Sequence, residues 1–289
     1  MSGAPAAAHP RLALNQWTTR RWSLAEAVDG CVRHGVGGIG LWREKVAEIG
    51  VVEARNRIDD AGLVVTSLCR GGFFTAPGDA ALADNRRAVD EAAALGTSVL
   101  VLVAGGLPGG SRDLAAARGR AQEVIAELVP YAASAGVQLA LEPLHPMYCA
   151  DRCVLSTLAQ ALEWAAPFDP ATVGVCVDTF HIWWDPSVLD SIASVAAAGR
   201  LATYQVCDFI LPIPADALLA RGMMGDGVID FAPMTAAVAA TGYAGPVEVE
   251  IFNADVWAED PDRVMARMVS TFAELVAPSL ERAPSLEMP

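Results

Sequence analysis

The sequence predicts a single (β/α)8 TIM-type barrel domain over residues 1–289, with loose segments expected at 1–10 and 278–289. Three observations predict it. Eight short apolar stretches of strand length alternate with eight helical stretches. The helices are followed by glycine and then a strand, the spacing of right-handed crossover units. The later strands carry polar residues at their C-terminal tips, where such barrels place their functional groups. A doubly wound open sheet is the competing architecture, but it calls for a glycine-rich phosphate turn after the first strand. No such turn follows the first strand, and the loop Gly105 to Gly110 contains no GxGxxG or Walker pattern.

Taken in order, Leu12 to Trp17 reads as the first strand, and Ser23 caps a helix with Glu26 three residues on, a capping box. Val36 to Leu41 is a second strand, and one helix is expected from about Glu44 to Asp60, stopping at Gly62. Leu63 to Cys69 makes the third strand, followed by a loop Arg70-Gly71-Gly72-Phe73-Phe74. A helix from about Ala80 to Leu95 leads to a strand from Thr97 to Ala104, and Gly105 to Gly110 reads as a flexible rim. A long helix over about Ser111 to Ser134 precedes the strand Val137 to Glu142, and one over about Thr157 to Ala166 precedes Val173 to Asp178. A helix starting near Pro186 leads to the strand Leu201 to Asp208, and a long loop follows with Pro212, Pro214, Arg221 and Gly225-Asp226-Gly227. A helix near Ala232 to Thr241, the strand Pro246 to Ile251 and a helix over about Pro261 to Val276 complete the set.

Side-chain alternation along the strands has a period of two. In Val173 to Asp178 the valines share one face while Gly174, Cys176 and Asp178 share the other, and the second face fits a barrel interior. Gln138, Ala140 and Glu142, then Thr203, Gln205 and Cys207, then Glu248 and Glu250 repeat the arrangement. Four consecutive strands thus deliver Glu142, Asp178, Gln205 and Glu250 to one end of the fold. Buried carboxylates need partners, so the convergence points to a metal site.

Bulk properties narrow the classes of function. Hydrophobic residues make up 53% of the chain, enough for a large core, yet no apolar run is long enough to span a bilayer. The N-terminus has no basic region leading into an apolar one, so a cytoplasmic protein without membrane association is expected. A formal charge of −14 argues against nucleic acid as a ligand. The six cysteines lack zinc-type pairing and read as small buried hydrophobes.

With these residues assembled, the sequence resembles the sugar phosphate isomerase/epimerase superfamily, the xylose-isomerase-like TIM barrels. Glu142-Pro143-Leu144 resembles that family's metal-binding glutamate motif, and Asp178-x-x-His181 its Asp-x-x-His motif. Gln205-Val206-Cys207-Asp208 stands where the family has His-x-x-Asp. Arg221-Gly222, Gly225-Asp226-Gly227 and Glu248-Val249-Glu250 match later segments. The resemblance implies a divalent metal on Glu142, Asp178, Gln205 and Glu250, commonly manganese, with magnesium as the second choice for an all-oxygen site. It implies that His181 and Arg221 contact a sugar. The glutamine at 205, in place of histidine, is the departure from the pattern.

Epimerising or isomerising a sugar requires removal of a proton beside a carbonyl, for which a metal and paired carboxylates are suited. Glu142 and Glu250 fit that pair, and His145 on the following loop is a third candidate base. Trp17 and Trp183, with Trp184, are candidates for an apolar wall against the sugar, and Arg152 for a phosphate contact. The leading expectation is therefore a metal-dependent sugar isomerase or epimerase acting on a small sugar or sugar derivative, with homo-oligomers allowed. A lyase of the inosose-dehydratase or 3-oxo-C-glycoside-cleaving kind, the latter with a small β-rich partner subunit, is the alternative. A non-catalytic sugar-binding barrel, its metal site lost at Gln205, is the reading from another class.

Overall fold

The computed structural model describes residues 8–281. Eight parallel strands close into a barrel: β1 (Leu12–Asn15), β2 (Gly38–Trp42), β3 (Val64–Gly72), β4 (Val99–Val103), β5 (Gln138–Leu141), β6 (Val173–Asp178), β7 (Leu201–Val206) and, last in the ring, Val247–Val249. Between the seventh and last barrel strands a two-residue antiparallel pair intervenes, β8 (Asp208–Phe209) with β9 (Arg221–Gly222), so the last barrel strand is β10. Closure falls between β1 and β10, with Ala13 opposite Glu248. The (β/α)8 barrel expected from the alternation is thus the architecture found.

Two apolar layers follow from the strand period. Leu12, Leu14, Ile39, Leu41, Val175 and Val177 point outward into the shell between strands and helices, the larger core. Inside the ring, Val99, Val101, Ala140 and Cys176 form a smaller cluster topped by Trp42 and Phe252. Among the helices, α1 (Leu24–His34) starts on the expected capping box, Ser23 accepting from the Glu26 amide while the Glu26 carboxylate accepts from the Ser23 backbone.

Several expectations are corrected. The helix predicted over 44–60 is two helices, α2 (Arg43–Ala47) and α3 (Val51–Asp60), broken at Gly50, whose φ of 83° lies in the left-handed region open to glycine. The third strand runs on through Gly72 rather than ending at Cys69, because Phe73 and Phe74 continue to donate to the carbonyls of Val103 and Ala104. The Gly105–Gly110 segment is anchored at its start: Val154 donates to the Gly105 carbonyl and Leu107 to that of Ala150. Near the described C-terminal end, 277–281 is a helix with Ala277 and Ser279 buried, and near the other end His9 packs on Phe272. Residues 1–7 and 282–289 lie outside the described residues. No helix among the described residues is long and apolar enough to cross a membrane.

Candidate active site

The barrel interior is polar at one level and that level shapes what stands above it. Glu248 on β10 is fully buried and accepts from Thr66 Oγ1 at 2.7 Å, Asn15 Nδ2 at 3.2 Å and Gln205 Nε2 at 3.5 Å. Gly40 on β2 leaves the room: a Cβ there would sit 2.3 Å from Glu248 Oε2. Burial raises the Glu248 carboxyl above its ordinary value, and the Thr66 and Asn15 donors partly offset that.

At the C-terminal mouth, Asp178 ends β6 and caps the short helix α7 (Thr179–Ile182), its Oδ1 accepting from the Phe180 amide at 2.9 Å. One turn on, this places His181 beside the same carboxylate. Arg221 on β9 enters between them. Its guanidinium, 3% exposed, donates through Nη1 to Asp178 Oδ2 at 2.7 Å and lies 3.2 Å from Glu250 Oε2 through Nη2. Asn253 secures the backbone by donating to the Arg221 carbonyl at 2.8 Å. The β8–β9 pair is itself pinned by Asp208, which accepts from the amides of Gly225, Gly227 and Ile229.

The imidazole of His181 is oriented by its neighbours. The backbone amide of His145 donates to Nδ1 at 3.1 Å, and Arg221 Nη2 lies 2.9 Å from Nε2. A neutral imidazole has one N–H and one acceptor nitrogen. Since the His145 amide is fixed as a donor, Nδ1 is the acceptor and Nε2 carries the proton, facing the guanidinium donor to donor. Burial, and then the Arg221 charge, hold the His181 pKa well below its ordinary value, so the ring is neutral. Two N–H groups that converge in this way are satisfied together by one shared oxygen acceptor.

The carboxyls are perturbed in the opposite sense. Glu142 is raised well above its ordinary value, first by burial and then by Glu250 and Asp178. Glu250 is pushed up to about 8, by burial before all else, with Arg221 opposing and Asp178 adding. These groups face a cavity of about 370 Å³ that Glu142, His181, Arg221 and Glu250 line at its base, with Trp17, Trp42, Phe252 and Trp257 forming one wall. The wall is stapled: Trp42 Nε1 donates to Asn15 Oδ1 and Trp257 Nε1 to the Trp17 carbonyl, both at 2.8 Å.

Of the residues predicted from sequence, the fold brings Glu142, Asp178, His181, Arg221 and Glu250 together and puts Trp17 and Arg152 on the same cavity. Trp183 is elsewhere, packed on Phe209 with ring centroids 5.2 Å apart. The His145 ring also lies outside the cavity lining, between Trp184 and Phe209, with Nδ1 accepting from the Met147 amide. Trp42, Phe252 and Trp257 were not singled out in the sequence. For Trp42 and Phe252 a signal existed, since Trp42 shares the interior face of β2 with Gly38 and Gly40, and Phe252 lies two residues beyond Glu250.

For a metal ion, the donor set is the test. One ligating atom from each of Glu142, Asp178 and His181 lies within 4.8 Å of the other two, and all three residues are buried. Gln205 Oε1 is buried without a hydrogen-bond partner among the described residues. The carboxylates of Glu142 and Asp178 and an orphaned carbonyl oxygen, in a region with more carboxylates than buried cations, fit a divalent ion. The grouping differs from the four residues expected: His181 stands close by but, with Nδ1 accepting from the His145 amide and Nε2 protonated, faces the site as a donor, whereas the Gln205 amide is held by Glu248 and the Glu250 carboxylate by Arg221.

Known proteins share this fold. Protein SMc04130 of Sinorhizobium meliloti 1021 is 47% identical, with a TM-score of 0.89 over 92% of this chain and 98% of that one. The IOLI protein, crystallised with a zinc atom, shares the fold at 20% identity, with a TM-score of 0.81 over 94% of this chain and all of that one. L-ribulose 3-epimerase of Mesorhizobium japonicum is 26% identical over 158 residues, 55% of this chain; the match spans about half (48%) of that curated relative's length. Residues 28–272 match the family described as the xylose isomerase-like TIM barrel, and the chain belongs to that family.

Proposed function

We propose that the protein is a divalent-metal-dependent sugar isomerase or epimerase that abstracts a proton beside a carbonyl. The observation that carries this reading is the pair of buried carboxyls, Glu142 and Glu250, at one cavity base beside the converging donors of Arg221 and His181. Burial pushes the Glu250 carboxyl up to about 8, so that it can exchange a proton near neutral pH, as a general acid–base requires.

In this proposal Glu250, ionised, takes the proton from the carbon next to the carbonyl, and the C–H electrons pass into the enediolate. Arg221 and His181 Nε2–H donate to the oxygen on which charge develops, which resolves their donor-to-donor contact. Glu142, protonated, returns a proton to carbon. Delivery to the opposite face at the same carbon gives an epimer, and delivery to the neighbouring carbon, with the hydroxyl proton passing to the other enediolate oxygen, gives an isomer. Glu142 and Asp178 would hold the metal, with Gln205 Oε1 and Glu250 available to complete its shell; such an oxygen-rich set favours manganese, then magnesium. When bound, the ion supplies Lewis-acid polarisation of the substrate oxygens. His145 acts through its backbone amide, orienting His181, which weighs against a base role for its own ring and so against the lyase reading.

The test is deuterium exchange. Incubated in D2O with a panel of ketoses, the protein should place deuterium at the carbon beside the carbonyl, detectable by NMR. Exchange should fall on removal of metal with a chelator and return on adding manganese. Absence of exchange across neutral, carboxylated and phosphorylated ketoses with metal present would refute the reading.

A further inference from the structure

Most partly or wholly buried arginines of the fold are spoken for. Arg43 is held by Asp84 and Glu91, Arg200 by the carbonyls of Val173 and Phe168, and Arg221 by Asp178 and Glu250. Arg70 is different. It lies at the cavity mouth, half-buried, its guanidinium 4.4 Å from the Phe73 ring centroid and 5.9 Å from that of Trp42. Among the described residues it makes no side-chain hydrogen bond and has no carboxylate within 4 Å, which leaves five N–H donors without a protein acceptor. Arg152, from the loop after β5, lines the same cavity, and its nearest carboxylate is that of Asp151, 3.9 Å away and 66% exposed.

We propose that Arg70 and Arg152 form a subsite for an anionic group, carboxylate or phosphate, borne by the substrate at the end away from the reacting carbons; this rests on the sugar isomerase or epimerase reading and narrows its substrate class to sugar acids or sugar phosphates. A guanidinium packed over the Phe73 ring and near Trp42 is restricted in orientation, so its planar fork is presented for a bidentate oxyanion. Burial lowers the Arg70 pKa, Glu44 and Cys69 oppose it, and Arg152 adds a smaller like-charge repulsion; a bound anion would offset the burial and the repulsion. The acidic groups on the same rim do not fill the role, since Glu44 and Asp216 are exposed and neither pairs with Arg70 or Arg152 within 4 Å. The arrangement also divides the cavity chemically. Carboxyls and Arg221 occupy its base, the indoles of Trp17 and Trp42 face the sugar carbons between, and the unpaired arginines stand at the mouth.

The experiment measures binding and needs no turnover. Quenching of tryptophan fluorescence in the full-length protein is titrated with D-fructose, D-fructose 6-phosphate and D-fructuronate, for wild type, Arg70→Gln, Arg152→Gln and the double variant, with circular dichroism to check folding. Wild type is expected to bind at least one anionic sugar about tenfold or more tighter than D-fructose, as charge-assisted pairs allow. Each single variant should reduce that advantage and the double variant abolish it, with D-fructose affinity unchanged. Preference for D-fructose 6-phosphate alone identifies phosphate, and preference for D-fructuronate alone identifies carboxylate. Equal affinity for neutral and anionic sugars, or an advantage that survives in the folded double variant, overturns the proposal. An anion preference without deuterium exchange would uphold the subsite and refute the chemistry, so the two can fail separately.

Discussion

Substituting Glu250 by glutamine tests whether its carboxyl is the proton-exchanging group. Folding raises it from an ordinary 4.5 to about 8, chiefly by burial, so the folded protein binds this proton more tightly than the unfolded chain. The carboxyl therefore contributes its full stability below about pH 4.5, loses it as pH rises towards 8, and contributes no further change above. A window of about 3.5 pH units at about 1.4 kcal/mol each sets a ceiling of roughly 5 kcal/mol; solvent relaxation brings the expectation to the order of 2–4 kcal/mol. Glutamine has no proton to lose, so chelator-treated Glu250→Gln should lose correspondingly less stability than wild type between about pH 5 and 8. At roughly 2 °C per kcal/mol for a chain of this size, the two melting curves should separate by several degrees across that range. Glutamine also cannot serve as a base, so deuterium exchange should fall by about 10² to 10⁴-fold. Melting temperatures that run parallel at every pH, or exchange within a few-fold of wild type, would refute the reasoning.

Four further outcomes are expected. Arg221→Met leaves the buried Asp178 and Glu250 without their guanidinium and should cost about 3–5 kcal/mol in urea unfolding, since uncompensated buried charge is the expensive case; an unchanged midpoint would show that the pairing does not stabilise the fold. Metal affinity, followed by calorimetry, should rise between about pH 6 and 8 as the raised carboxyls release protons, and Gln205→His should shift the preference from manganese towards zinc; an unaltered preference would put residue 205 outside the coordination sphere. His145→Ala should keep deuterium exchange within about tenfold, well short of the loss for a true general base, because only its backbone touches His181; a loss as deep as that of Glu250→Gln would restore the ring to the reaction.

The barrel, and the buried Glu142, Asp178, His181, Arg221 and Glu250 at its mouth, were legible in the sequence. Strand alternation is a local property, and the period of two alone assigns Asp178 and Glu248 to the interior while Val175 and Val177 go to the shell. Capping is local as well, which is why the Ser23–Glu26 box was readable. Tertiary structure decided whatever depends on two distant segments meeting. Arg221 reaches Asp178 across 43 residues only because β9 folds back on β8. The Gln205 amide turns to Glu248 because β7 and β10 are neighbours in register, and that pairing, not the Gln-x-x-Asp spacing, sets which atom is left without a partner. Arg70 counted as a loop residue until β3 proved long enough to carry it to the cavity mouth. Periodicity fixes the face on which a side chain stands; the partner it finds there, and so its charge and its chemistry, is set by the closure of the ring between β1 and β10.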